Sequence, residues 1–340
     1  MMMGRDSVPT VSVVMPTYNR ADLLPRTLES ILYQDFEDFE LLIVDDGSTD
    51  NTTEVIKGIQ VQDPRLRYER LPENRGIGFA REAGLQHVSG KYVALADSDD
   101  LWLPGKLKVQ VEVLEEYPEI EILFGDYWNI NYVAGTEASG FSETQAGMRH
   151  LAVRPLGDDL WLVEGGVETG MLRSNFIHPP TMVLRAGVFE KVGGFVTSQV
   201  THPDHEFCWR AAVLGTQYAY IHRLLIERHR YASSVTAKVC DSQTELLGCL
   251  AICRQTCGKA QRPDLLTHIR AAEQRTRRNL IVAYCDRGER AKIWWTFRES
   301  LQHSFSPRTF AFFVLGMLGS QAMSFAMKLR ARSLQFSWKG

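Results

Sequence analysis

Tyr92-Val-Ala-Leu-Ala96, followed at once by Asp97-Ser-Asp-Asp100, decides how the chain is read. Five apolar residues in a row fit a strand buried on both faces, as in a parallel sheet covered by helices. Three carboxylates within four residues repel one another, so they are tolerated at a strand end when a cation or hydrogen-bond donors compensate. Working outward, Val11-Ser-Val-Val-Met15, closed by Pro16, and Leu41-Leu-Ile-Val44 are further buried runs, with shorter ones at Leu66–Glu69 and Ile120–Phe124. Between them lie helical patterns: Ala21–Gln34, Asp50–Ile59 with Asp50 or Asn51 as cap, Ile77–His87 and Lys106–Tyr117. Strands alternating with helices predict βαβ units and a mainly parallel α/β sheet. Ligands of such sheets bind at the carboxyl ends of the strands. That rule selects Thr17–Arg20, Asp45–Ser48, Asn74–Gly76 and Asp97–Asp100.

Composition limits the classes of function. The 340 residues carry 38 Lys and Arg against 41 Asp and Glu, a net charge of −3, without the basic excess of a general nucleic-acid binder. Hydrophobic residues at 44% and charged residues at 23% describe a globular chain. None of the six cysteines forms a CxxC pair, which predicts free thiols in a reducing cytoplasm. The opening MMMGRDSVPT lacks an apolar core, so no secretory signal is expected. Residues 126–175 are Gly-rich and predict loops around a site, Met182–Leu184 a strand, Asp204–Leu214 a helix, and 240–305 mostly helix.

The acids can be read in two ways. Asp97-Ser-Asp-Asp100 suits a hard cation such as Mg²⁺ or Mn²⁺ bridging diphosphate oxygens, or else forms an acidic turn capping a helix at Leu101-Trp102. Val44-Asp-Asp-Gly-Ser48 either presents an acceptor to a nucleobase imide N–H or is an ordinary Asp-Gly turn. Asn74-Arg-Gly-Ile-Gly-Phe-Ala-Arg81 opens a helix with GxG, but Arg81 stands where a dinucleotide fingerprint needs its third glycine, and no Walker A sequence occurs. A helix N-terminus with Arg75 and Arg81 beside it still suits phosphates. Cys249, Cys253 and Cys257 recur every fourth residue and predict a buried stripe on one helix face. The sequon Asn51-Thr-Thr53 is read as a helix cap.

Taken in order, Val13-Val-Met-Pro-Thr-Tyr-Asn-Arg20, Val44-Asp-Asp-Gly-Ser-Thr-Asp50, Asn74-Arg-Gly76 and Ala96-Asp-Ser-Asp-Asp100 resemble the signatures of family 2 glycosyltransferases over about residues 11–235. The resemblance implies a GT-A fold: a mixed, mainly parallel sheet flanked by helices. It implies transfer of a sugar, from a UDP-sugar, to a hydroxyl acceptor with inversion, in bacterial surface-polysaccharide or glycolipid assembly. By resemblance Pro16, Thr17 and Tyr18 flank the nucleoside, Asp46 or Asp45 holds the base, and Arg81 approaches base or ribose. Asp97 and Ser98 face ribose or sugar, Asp99 binds Mg²⁺ or Mn²⁺, and Asp100 acts as a cap. In Thr201-His-Pro-Asp-His-Glu-Phe-Cys-Trp-Arg210, Pro203 replaces the first acid of the family's pair, Asp204 falls on the catalytic base and Glu206 on the following acid. In Glu227–Ser234, His229 is a second metal ligand and Arg230 neutralises the leaving diphosphate, while His178-Pro-Pro-Thr181 lies near the acceptor or forms a turn.

Three parts are expected: a tail at 1–10, a catalytic domain at 11–235 and a helical region at 236–340. Thr309–Met327 has no charge and is flanked by Arg308 and by Lys328, Arg330 and Arg332. An interfacial helix on anionic lipid, a buried helix and a membrane span all fit it, the first best. The expected partners are a nucleotide-sugar donor and a saccharide or lipid-linked saccharide acceptor, with no nucleic acid. The location is the cytoplasm, peripherally at the inner face of the plasma membrane. Nucleotidyl transfer and a non-catalytic nucleotide-sugar scaffold are the alternatives.

Overall fold

The computed structural model describes residues 8–197, 202–231, 239–303 and 305–336. Thr201, the stretch 232–234 and the side chain of Cys240, all named above, lie outside this description. The chain divides into two compact units, Met1–Ser234 and Val235–Gly340.

The first unit holds one sheet. Its strands are β1 (Val11–Thr17), β2 (Phe39–Asp45), β3 (Leu66–Arg70), β4 (Tyr92–Leu95), β5 (Leu101–Trp102), β6 (Ile122–Asn131), β7 (Thr136–Ser139), β8 (Ala152–Pro155), β9 (Leu160–Gly165), β10 (Val183–Arg185) and β11 (Tyr218–Arg230). They lie in the order β3-β2-β1-β4-β10-β6-β11-β9-β8, with β5 on β11 and β7 on β6. Four pairings, β1 with β2 and β4, β2 with β3, and β6 with β11, are parallel and include the longest registers. The antiparallel pairings are short. The sheet is therefore mixed. Every residue of β1 and β2 is buried, Ser12 and Glu40 included, as fits mainly apolar strands covered on both faces.

Helices α1 (Leu24–Leu32), α2 (Thr52–Gln60), α3 (Ile77–Leu85) and α4 (Lys106–Glu116) cover the sheet. α1 buries Leu24, Thr27, Leu28 and Ile31, a stripe of helical period, and carries Pro in its first turn. α3 lies so close on β1 that a Cβ at Gly84 would stand 2.6 Å from Val14. Short helices α5 (Gly140–Glu143), α6 (Gln145–Met148), α7 (Val167–Met171) and α8 (Gly187–Val192) precede α9 (Pro203–Val213).

Four expectations need correction. Residues 126–175 are not loops alone: they extend β6 and supply β7, β8 and β9, of which β7 is held by pairing with β6, β9 by pairing with β11, and β8 by pairing with β9. Asp100 caps no helix, because Leu101–Trp102 is a strand on β11 and α4 begins only at Lys106. Asn51 sits at the start of α2 without a side-chain cap, and Asp50 accepts the Thr52 N–H instead (3.0 Å). Thr309–Met327 is not one helix, since Gly319 at φ +110° breaks it.

The second unit is helical: α10 (Val239–Lys259), α11 (Leu266–Asp286), α12 (Arg290–His303), α13 (Pro307–Leu318) and α14 (Ser320–Phe336). Ile281, Cys285, Ile293 and Met323 form its small core, with Phe312, Phe313 and Leu315 packed on it. Cys249, Cys253 and Cys257 are buried on α10, as the stripe predicts. Among the described residues no helix is long and apolar enough to cross a membrane.

Candidate functional site

The carboxyl ends of β1 and β2 are laced together by side chains. The Asn19 N–H donates to Ser48 Oγ (2.9 Å), the Arg20 N–H to Thr52 Oγ1 (2.9 Å), and Asn19 Oδ1 accepts the Thr49 N–H (2.8 Å). The Asp46 N–H bonds the Thr17 carbonyl (2.9 Å). Pro16 and Thr17 are buried in β1, Tyr18 is exposed, and the buried Thr17 Oγ1 has no hydrogen-bond partner.

The two adjacent acids have different surroundings. Asp45 is fully buried in its own turn: Oδ1 accepts the Ser48 N–H (2.8 Å) and Oδ2 accepts the Tyr68 hydroxyl (2.8 Å). Asp46 reaches the start of α3, where Oδ1 accepts the Arg75 N–H (2.8 Å) and Oδ2 the Gly76 N–H (2.7 Å). Burial pushes the Asp46 carboxyl up, and these two donors offset only part of the rise. Gly47 makes the approach possible, since it has φ +76° and a Cβ there would lie 2.8 Å from the Glu73 carbonyl carbon.

One turn into α3, the buried Arg81 donates to Asp97 Oδ1 (2.6 Å). The same helix touches the base-position segment: a Cβ on Gly78 would lie 2.7 Å from the Val196 carbonyl and 3.2 Å from Pro203 Cβ. Pro203 occupies the first turn of α9, where a missing N–H costs nothing, and His202 is the N-cap. Asp204 is thus inside the first turn rather than a cap. Burial raises its pKa, but Arg81, with His202 and His205, outweighs burial and holds the carboxyl below the usual aspartate range. Glu206 is spent on structure. It grips Arg210 through two bonds (2.7 and 2.9 Å), and Arg210 in turn donates to the carbonyls of Val192 and Gly194.

The acids after β4 form a dense cluster. One ligand atom each from Asp97, Asp100 and His178 lies within 4.8 Å of the others. His178 Nε2 is 2.8 Å from Asp100 Oδ2. Asp99 is 3.6 Å from Arg20 Nη2, and the Ser98 carbonyl accepts from Thr27 Oγ1 (3.2 Å). Burial, then repulsion from Asp100 and Asp97, lifts Asp99 to about 7, and burial, then repulsion from Asp97, lifts Asp100 to about 8. Burial, with Arg228 nearby, drops His178 to about 3, leaving a neutral ring able to ligate. Two carboxylates and an imidazole suit a divalent ion, and an imidazole suits Mn²⁺ better than Mg²⁺.

The grouping differs from the expected metal pair. Asp99 and His229 are not in the three-residue cluster. His229 Nδ1 bonds the Tyr132 hydroxyl (3.0 Å), its Nε2 stands 3.4 Å from Glu227 Oε2, and its ring lies against Tyr132 and Tyr231, which also stack on each other. Its backbone N–H serves Asp100. Residue order on β11 explains what sequence reading missed. Side chains alternate along a strand, so Arg228 and Arg230 share one face and His229 takes the other. Arg228 is the guanidinium beside Asp97, Asp100 and Tyr127, and Arg230 lies next to it. The period-two spacing of the two arginines was the available signal for Arg228.

The chain is similar to known proteins in sequence and in fold. The sequence profile described as Glycosyl transferase family 2 matches residues 12–176. A Bacillus subtilis (strain 168) protein named for teichuronic acid biosynthesis, TuaG, is 41% identical over 108 residues, 32% of this chain and 43% of that protein. WfgD of Escherichia coli, named as a UDP-Glc:alpha-D-GlcNAc-diphosphoundecaprenol beta-1,3-glucosyltransferase, is 34% identical over 121 residues, 36% of this chain and 47% of its own. These matches span less than half of either relative. The mannosyltransferase PcManGT of Pyrobaculum calidifontis, solved with GDP-Man and Mn²⁺, shares the fold with a TM-score of 0.57 at 18% identity, over 95% of this chain and 84% of that one. From the profile and the relatives, residues 12–176 carry the sequence of glycosyl transferase family 2, and the mixed sheet with acids at its edge has the GT-A fold.

Proposed function

We propose that the chain transfers a sugar from a UDP-sugar to a hydroxyl acceptor with inversion, in bacterial surface-polysaccharide or glycolipid assembly. One observation carries the reading: α3 contacts Asp46 at its start, the Asp204 segment at Gly78 and Asp97 through Arg81, so acids far apart in sequence meet at one sheet edge. The names of TuaG and WfgD support the surface-saccharide setting, and that of WfgD supports the UDP-sugar and a lipid-linked acceptor.

On this reading Thr17 Oγ1, Tyr18 and Asp46 hold the nucleoside, Asp45 shapes their turn, and Asp97 and Ser98 face ribose or sugar. Arg228 and Arg230 face the diphosphate. Asp204 takes the proton of the acceptor hydroxyl as its oxygen bonds the anomeric carbon. The bond from that carbon to the diphosphate oxygen breaks on the opposite side, which inverts the centre, and the nucleoside diphosphate leaves. Asp97, Asp100 and His178 would hold Mn²⁺ or Mg²⁺, with Asp99 beside them. When bound, such an ion neutralises charge on the departing diphosphate.

The test joins binding to turnover. Thermal shift with UDP, GDP and their sugars, with and without Mn²⁺, ranks the base, because a ligand of the native state raises the melting temperature. Asp204→Asn should keep UDP-sugar affinity and lose on the order of 10²–10⁴ in kcat. Unchanged kcat would remove Asp204 as base. No shift with any sugar nucleotide would end the proposal.

A further inference from the structure

The near-neutral chain hides a charge division. Residues 235–340 carry 17 Lys and Arg against 7 Asp and Glu, a net charge of +10, and no acid follows Glu299. This basic unit also exposes its apolar side chains. Phe310, Val314 and Leu318, four residues apart on one face of α13, are all exposed. Ring contacts extend the surface from Phe310 to Phe305 (6.2 Å), and through Phe313 to Trp294 (5.8 Å) on α12. Phe305 is 63% exposed, Leu318 68% and Trp295 55%. α13 is apolar nearly all round, yet only Thr309 and Gly316 in it are buried. Exposed basic side chains nearby in the sequence are Arg290 and Arg298 on α12, Arg308 on α13 and Lys328 on α14.

We propose that the α12–α13 surface is a membrane-docking face for anionic lipid. Aromatic rings beside basic side chains are what a headgroup interface accepts: the rings enter the acyl boundary and the cations meet phosphate. A twelve-residue α13 rises only about 18 Å, well short of a hydrocarbon core of about 30 Å, so the face lies on the bilayer rather than crossing it. A second copy is a poorer occupant, since it brings a second unit of charge +10 to the same face. The surface goes beyond the transfer reaction and does not depend on it.

The test uses the full chain and sedimentation with two vesicle types, phosphatidylcholine alone and phosphatidylcholine with about a third phosphatidylglycerol, free of donor, acceptor and divalent ion. The expected result is binding to the anionic vesicles, at least about tenfold weaker on the neutral ones, and weakened by salt. The double variant Phe305→Ser/Leu318→Ser should lose about tenfold or more, with an unchanged melting temperature to show that the fold is kept. Arg298→Gln/Arg308→Gln leaves the apolar face whole and should weaken only the anionic binding. The proposal is overturned if the wild-type chain stays in the supernatant with both vesicles, or if a correctly folded double variant binds undiminished. It is equally overturned if sedimentation velocity shows self-association that the double variant abolishes while lipid binding is absent. Because no sugar nucleotide is present, failure here leaves the transfer proposal standing, and the reverse holds.

Discussion

Lys106 offers the sharpest test of the packing beneath the site. It is buried in α4, where Nζ donates to Gln110 Oε1 (2.8 Å) and lies 4.0 Å from the Trp102 ring centre. Burial pulls its pKa down to about 7, against 10.5 for an ordinary lysine. The unfolded chain therefore holds this proton to about pH 10.5, while the folded chain releases it near 7. Between those values the unfolded state binds more protons, so stability rises with pH there and is flat below 7. The difference of 3.5 units corresponds to at most about 5 kcal/mol. Lys106→Met removes the titration but orphans Gln110 Oε1, at about 1–3 kcal/mol, and loses the cation over Trp102, at about 0.5–2 kcal/mol. The variant should thus be up to about 3 kcal/mol more stable at pH 7. The decisive quantity is the slope. From pH 7.5 to 9.5 the wild type should gain almost 3 kcal/mol relative to the variant, roughly 6–11 °C in melting temperature for a unit of this size. Near-UV circular dichroism melts of both proteins at pH 7.5, 8.5 and 9.5 measure it. Parallel traces would refute the buried, deprotonating lysine.

Three further outcomes are expected. Glu206→Ala leaves Arg210 without its carboxylate in a buried pair and should cost about 3–5 kcal/mol, or roughly 6–20 °C, so a melting temperature within a degree of wild type would contradict a structural role. Gly47→Ala forces a side chain into a left-handed conformation against Glu73 and should cost about 1–3 kcal/mol while weakening UDP binding in calorimetry, because the Asp46 contacts to α3 shift. Mn²⁺ should raise the wild-type melting temperature, EDTA should reverse the rise, and Asp100→Asn should abolish it; an undiminished Mn²⁺ shift in the variant would place the ion elsewhere.

The parallel core was legible because β1, β2 and β4 are predominantly apolar runs, the pattern that burial on both faces favours. β11 was not legible. Its thirteen residues mix exposed His222 and Arg223 with buried Leu225 and Ile226, and its pairing with β6 shifts register twice, so no short window shows a period. The short strands of 126–175 take their form from distant partners rather than from their own sequences. Reading Asp100 as a cap failed because local propensity cannot see that Leu101–Trp102 pairs with a strand more than a hundred residues later. His178 looks like part of a proline turn by itself. Its place beside Asp100 follows from β10 lying antiparallel to β4.

Helix α3 has a consequence for how tightly the two halves of a bound donor can be gauged. Gly76, whose N–H meets Asp46, and Arg81, which meets Asp97, are five residues apart, or about 7–8 Å of helix rise. That length is incompressible, so α3 works as a ruler. On the proposed function, a nucleotide seated at one mark would fix how far its sugar can extend toward the other, and a single-residue insertion between the marks would rotate Arg81 by about 100° away from its acid.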